Sequence, residues 1–364
     1  MSNRISAIDW IKLVLAGFIL CLHYGELVAP WTFGGMEILH GGNLAVEGFF
    51  LISGFLFMQS LEKYENTGAY PACPKVVFHR YLGILYWLLP AVILDTVIVA
   101  TGVEQLSFFD TLMNIPKLLF EVVPLQMAGF EAWYVTGVSW YVSSLLLGVL
   151  IFYPFARRNP RAFARELCPI LAVLLYGLLF RLTGTLGSPG GLLFGVVRKG
   201  LVRGLADMAV GCFLYECIRA TKSEIVTGAR RALYTIAATV SAAVCVLIMV
   251  FTHSSFYDFI FVPFAFAFLY LAIGQKTVFA LFLNRNWSRH IGTLSTVVFL
   301  VHFPLARYFA AWYVAGDPLA FFDTYLLYVL AASVIVFAVG TGFKWIVRFF
   351  AERNKENDSE KEAL

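Results

Sequence analysis

Charge is scarce in this chain. Lys, Arg, Asp and Glu make up only 14% of its 364 residues, against 60% hydrophobic ones. A soluble globular domain is about 25% charged, so a large soluble core is excluded and a polytopic membrane protein remains. The mean hydropathy of +0.78 agrees. The net charge of +4 is modest, and no basic stretch with interleaved aromatics stands clear of the membrane anchors. Nucleic acid is therefore not an expected partner. Cysteine is sparse too: Cys21, Cys73, Cys168, Cys212, Cys217 and Cys245 form no C-x-x-C pair. Most lie in apolar stretches, where a cysteine packs as a small hydrophobe. The chain has no P-loop, no G-x-S-x-G elbow and no H-E-x-x-H. It has no His/Cys cluster with metal spacing, so no metal is expected. No repeat recurs at a fixed period, which argues mildly against an inverted-repeat transporter. The first apolar run lacks a small-residue cleavage site and many spans follow it, so it reads as a helix rather than a signal peptide.

What is present is a series of apolar runs near the ~20 residues that a membrane span needs. Ten are expected: 8–29, 44–61, 80–102, 139–156, 168–184, 203–219, 231–251, 256–274, 291–313 and 322–349. The fold class is therefore all-α and polytopic. The stretch 110–128 is apolar but interrupted by Pro116, Lys117, Glu121 and Pro124, which suits a re-entrant or interfacial half-helix. Cations crowd alternate loops: Lys63 and Lys75; Arg157, Arg158, Arg161 and Arg165; Arg219, Lys222, Arg230 and Arg231; Lys276, Arg285 and Arg289; and Arg348, Arg353, Lys355 and Lys361. The loops between are poor in them, with Asp317 the sole charge of loop 314–321. Arg198 and Lys199 in loop 185–202 are the exception. The bias places both termini in the cytoplasm and the chain in the cell membrane. The expected organisation is one membrane domain over 1–351 and a charged tail, 352–364, without fixed structure. Chemistry is then confined to the membrane body. Nothing bears on oligomeric state.

The most informative pattern is Lys12 and His23 in the first span. Ten residues separate them, so they return to nearly one helix face, roughly 16 Å apart. Ionisable groups in hydrocarbon are functional-site candidates by default. Lys12 reads either as a snorkelling anchor or as a cation that meets an anionic ligand. His23 reads as a buried, hydrogen-bonded histidine or as a base. Glu47 falls in the outer turns of the second span, as an interfacial acid or as a carboxylate that reaches His23 and supports its charged form. Ser53, Gly48 and Gly54 form a small-residue face suited to close helix packing. His302 lies mid-span, two residues before Pro304, which is expected to kink the helix. Arg80 opens the third span beside His79, as an anchor or a ligand-binding cation. Trp140 and Tyr141 open the fourth, where aromatic residues often mark the interface. Arg203 and Asp207, spaced i,i+4, are expected to pair.

These residues resemble a known family. Asp9-x-x-Lys12-x(10)-His23 is similar to the opening motif of the acyltransferase family 3 integral membrane proteins. Leu44-Ala-Val-Glu47-Gly-Phe-Phe-Leu-Ile-Ser53-Gly-Phe-Leu resembles the family's second-helix signature, and Phe299-Leu-Val-His302-Phe-Pro304 its late-helix histidine-x-proline motif. The three motifs stand in the family's order, and the resemblance covers nearly the whole chain. Two positions depart: Lys12 stands where arginine is commoner, and Gly83 stands where many members carry a second arginine after Arg80. A lysine meets phosphate as a point charge, without the bidentate fork. The resemblance implies transfer of an acyl group, usually acetyl, from acyl-coenzyme A to a hydroxyl of an envelope carbohydrate. It implies that Lys12 and Arg80 receive the donor's anionic end, that His23 acts as base or acyl relay with Glu47 behind it, and that His302 lines the cavity or shares proton transfer. Ser53, Trp140 and Tyr141 are then the candidate substrate contacts. A transporter or flippase for a lipid-linked sugar, and a non-catalytic homologue, are the competing readings.

Overall fold

The protein was analysed as a computed structural model, which describes residues 5–65, 67–130, 134–279, 288–313 and 318–362. Helix makes up 79% of it, and every one of the ten expected spans falls on a helix. In chain order these are α1 (Ser6–Leu27), α2 (Ala45–Glu65) and α3 (Cys73–Val97). Two short helices follow, α4 (Phe108–Asn114) and α5 (Leu119–Val122), and then α6 (Ser139–Ala156), α7 (Pro160–Ala162) and α8 (Cys168–Thr183). The chain closes with α9 (Lys199–Ala220), α10 (Gly228–Phe251), α11 (Tyr257–Ile273), α12 (Ser288–Trp312) and α13 (Pro318–Glu362). Eight of the helical stretches are long and apolar enough to cross a membrane. The two that fall short have plain causes: α9 carries Arg203 and Asp207 mid-length, and α11 is only 17 residues long. Arg285 and Asp317, counted in the loop charges, lie outside the described residues.

The region 110–128 forms broken helical turns rather than a span, as its prolines require. Glu121 pins it to the start of α6. Its buried carboxylate accepts from the amides of Val135 (2.9 Å) and Thr136 (3.1 Å) and from the hydroxyls of Thr136 and Ser139. α13 runs as far as Glu362. No glycine or proline interrupts 352–362, and its Glu, Lys and Arg are good helix formers, so a helix already started propagates.

The core is organised by close helix approach. Gly54 of α2 lies against the backbone of α9 at Met208 and Cys212, and Gly211 of α9 lies against Leu51 and Gly54. A Cβ at either position would meet backbone, so Gly54 is spent on packing against α9, while Gly48 lies against Leu15 of α1. α1 packs along α12, which sets the first and third motifs face to face. A two-residue hairpin turn at Gly34 and Gly35, both with positive φ (59° and 82°), folds Trp31–Phe33 onto Met36–Ile38. Trp31 then donates its indole N–H to the carbonyl of Cys21 (2.7 Å), tying the hairpin to the turn that holds His23.

Outside the spans, Glu224 clips the α9–α10 loop to the segment after α11. It binds Lys276 at 2.6 Å and Arg230 at 2.9 Å. The Lys276 hydrogen bond holds the Glu224 carboxyl below its ordinary range. Burial pulls the Lys276 ammonium down, but its bonds to Glu224 and Tyr270 outweigh this and leave it raised. The clip's contribution from Glu224 is therefore complete above the ordinary carboxylate pKa and lost as pH falls through the depressed one. That from Lys276 is complete below the ordinary lysine pKa and lost only as pH rises through the raised one. Thermal melts against pH should show wild type above Glu224→Gln at neutral pH, with the difference closing in acid. A constant difference down to low pH would contradict the clip.

Candidate active site

The α1–α12 contact brings His23 and His302 together. Their rings stack with centroids 5.4 Å apart, inclined by 24°. The Nδ1–H of His302 donates to the carbonyls of Phe299 (2.8 Å) and Val298 (3.2 Å), which assigns the tautomer and leaves the lone pair on Nε2. That Nε2 is buried and has no hydrogen-bond partner. Tyr325 donates to the backbone carbonyl of His302 at 3.1 Å, holding the turn from α13. α12 continues as helix through Pro304, whose missing amide leaves the carbonyl of Leu300 without its helical donor.

His23 is partly open, with 21% of its side chain exposed. Glu26, one turn on, places a carboxylate oxygen 3.4 Å from its Nδ1, within charge-pairing range but outside hydrogen-bond geometry. Phe303 closes the other side, edge-on at 4.8 Å. Phe303 is itself pressed against Gly137, where a positive φ of 65° and the lack of a Cβ admit the ring.

The expected contact between Glu47 and His23 does not form. Both Glu47 oxygens are taken by Arg203: Oε1 by Nε, and Oε2 by Nη2 at 2.6 Å. The expected Arg203–Asp207 pair does not form either, because Asp207 accepts from the Tyr176 hydroxyl. The i,i+4 spacing did place both on one face of α9. A carboxylate from α2 and a phenol from α8 simply offer each a partner in better geometry. Trp140 belongs to this cluster, its ring 5.5 Å from the Arg203 guanidinium.

The remaining candidates converge elsewhere. A cavity of about 290 Å³ is lined by Lys12, Arg80, Gly83, Ser53 and Tyr141, among others. Arg80 is held by a 2.9 Å bond to Ser60 Oγ and lies 5.4 Å from the Phe57 ring. The Ser53 and Tyr141 hydroxyls share a 2.8 Å hydrogen bond, and both reach the Phe49 carbonyl, Ser53 at 2.8 Å and Tyr141 at 3.4 Å. The inner wall is aromatic. Phe49, Tyr141 and Phe299 touch one another with centroids 5.6–6.0 Å apart, and Phe299 stands 5.8 Å from His302. Cations, hydroxyls, an aromatic wall and two imidazoles thus follow one another from the Lys12 end of α1 to its His23 end.

A family model described as an acyltransferase domain matches residues 5–344. The chain belongs to acyltransferase family 3. No curated protein and no solved structure matches it. As a family 3 chain of apolar helices it is a membrane acyltransferase, and a transporter reading has no support left beyond its ionisable helices. Reading the residues alone missed Glu26, although its i+3 spacing from His23 was a usable signal. It also missed Arg203 as the partner of Glu47, for which no local signal exists across 156 residues.

Proposed function

We propose that the protein moves an acetyl group from acetyl-coenzyme A to a hydroxyl of an envelope carbohydrate, with both termini in the cytoplasm of a cell whose inner membrane it spans. The observation that carries this reading is the cavity that gathers Lys12 and Arg80 and ends at the aromatic wall before the histidine pair. Lys12 and Arg80 meet the anionic nucleotide end of the donor, and the apolar, hydroxyl-bearing walls suit its thioester arm. His23 takes the proton of the acceptor hydroxyl as the new C–O bond forms at the acyl carbon. The C–S bond breaks, and the proton passes to the departing thiolate. Glu26 offsets the charge on the imidazolium. His302, its lone pair fixed on Nε2, stacks on His23 as the neutral partner, since a second proton would set two like charges 5.4 Å apart. Glu47 serves through Arg203, by fixing α2 against α9.

Equilibrium binding of acetyl-coenzyme A to the purified protein in nanodiscs tests the donor half. Binding that weakens at least tenfold in Lys12→Met and Arg80→Met is expected. Equal binding by wild type and both variants would remove these residues from the donor site. Gly83 offers a gain-of-function counterpart. It lines the cavity, and no atom lies within 4 Å of an added Cβ. Gly83→Arg should restore a second guanidinium and tighten donor binding, with charge-assisted bonds of about 1.5–3 kcal/mol as the upper scale. Unchanged affinity would show that position 83 does not face the donor.

The aromatic wall gives a further expectation. Phe299→Ala should open the cavity toward the histidines, so that longer acyl-coenzyme A donors are used and donor loss to water rises. Mass spectrometry of the acylated product against chain length reads this directly. Retained acetyl preference would mean that the wall does not set donor length.

A further inference from the structure

The loop cations that break the charge pattern, Arg198 and Lys199, lie beside a feature the donor cavity does not use. Lys199 begins α9 and is 4% exposed, and among the described residues its ammonium makes no hydrogen bond or ion pair. Arg203, one turn along, donates to the backbone carbonyl of Asn43 at 2.9 Å. The side-chain amide of Asn43 is itself buried with both its nitrogen and its oxygen unpartnered. Asp258, in the first turn of α11, holds a further open atom. One of its oxygens accepts from Thr185 (2.6 Å) and the amide of Leu186 (2.8 Å), while the other is buried and unpartnered. Lys199 stands within electrostatic reach of Arg203, Asp258 and Glu47. Buried polar groups are nearly always satisfied in folded proteins. Here the Asn43 amide leaves one donor and one acceptor buried and open, Asp258 leaves a second acceptor so, and the Lys199 ammonium stands beside them.

The cluster lies against α1, the helix that carries His23. Gly42, the residue before Asn43, packs so closely on Phe18 and Leu22 that an added Cβ would stand 2.9 Å from the Phe18 carbonyl and 3.0 Å from Leu22 Cβ. Trp140 flanks the other side through Gly200, where an added Cβ would be 3.1 Å from the indole. A sugar hydroxyl both donates and accepts, so an open ammonium, an open amide and an open carboxylate oxygen complement a ring with neighbouring hydroxyls. Glu47, Asp207 and Asp258 offset the two cations, which disfavours a polyanion.

We infer that Asn43, Lys199 and Asp258 form the subsite that binds the acceptor, and that the acceptor unit held there is an uncharged, hydroxyl-rich sugar. This rests on the acyltransferase reading above, and it adds the location and the charge preference. The test uses full-length protein in nanodiscs and oligosaccharides released from the envelope of the source cell. These are end-labelled with a fluorophore and separated by anion exchange into neutral and acidic fractions. Wild type should retain the neutral fraction. Lys199→Met and Asn43→Leu should retain it at least tenfold less well while still binding acetyl-coenzyme A as wild type does, which also shows that they are folded. Asp258→Asn is the conservative third variant, expected to weaken retention less. Equal retention by wild type and the variants would overturn the subsite. So would retention of the acidic fraction alone, or of neither fraction by wild type. Retention that depends on Lys199 and Asn43 in a wild-type protein that fails to bind acetyl-coenzyme A would support the subsite and sink the donor assignment instead.

Discussion

Glu47→Ala should destabilise the protein by about 3–5 kcal/mol, because it leaves the Arg203 guanidinium buried without its counter-charge. Both partners are at most 1% exposed, and the carboxylate is held through both oxygens. At about 2–4 °C per kcal/mol for a large domain, the melting temperature in detergent should fall by roughly 10 °C. Removing both charges together, as Glu47→Gln with Arg203→Met, should recover much of the loss, since no ion is then stranded. This double-variant comparison separates a positioning pair from a catalytic acid. If Glu47 acted directly on His23, Glu47→Ala would keep its stability and lose turnover. A change in melting temperature of under 2 °C, with activity abolished, would overturn the assignment made here.

His23→Ala carries the second large effect. A positioned general base contributes about 10²–10⁴ to rate, and turnover should fall by that factor while donor binding stays within twofold. The separation is expected because the cavity lined by Lys12 and Arg80 lies beyond the aromatic wall, and His23 is not among the residues lining it. His302→Ala should cost less if His302 is the neutral stacking partner. Were His302→Ala the more damaging of the two, the buried Nε2 would be the base, and the roles of the two imidazoles would be exchanged.

Much of the architecture was legible in the chain. Each of the ten apolar runs falls on a helix, and the prolines at 116 and 124 foretold a broken segment in place of a span. The Lys12–His23 spacing foretold a stripe that has a cation-lined cavity at one end and the histidine pair at the other. The H-x-P pattern supplied the second imidazole, and Gly54 the close approach of α2 to α9. What remained hidden depended on contacts across helices. Helical spacing states which residues share a face, but not which neighbour competes for them. Arg203 and Asp207 share a face and still take separate partners from α2 and α8. Glu47 looked like an acid for His23 because both fell in the outer halves of adjacent spans. Only packing reveals that a guanidinium 156 residues away reaches it from another side. Trp140 and Tyr141 are sequence neighbours, yet on a helix they point about 100° apart. Tyr141 therefore lines the cavity with Lys12 and Arg80, whereas Trp140 lies against Arg203.

The most direct test of the central claim follows free thiol release from acetyl-coenzyme A by purified protein in nanodiscs, with neutral envelope oligosaccharides present, for wild type beside His23→Ala. The account predicts acceptor-stimulated thiol release by wild type, and release reduced by at least a hundredfold in a His23→Ala protein that still binds the donor. Equal rates for the two proteins, with the variant shown to be folded and loaded with donor, would contradict it.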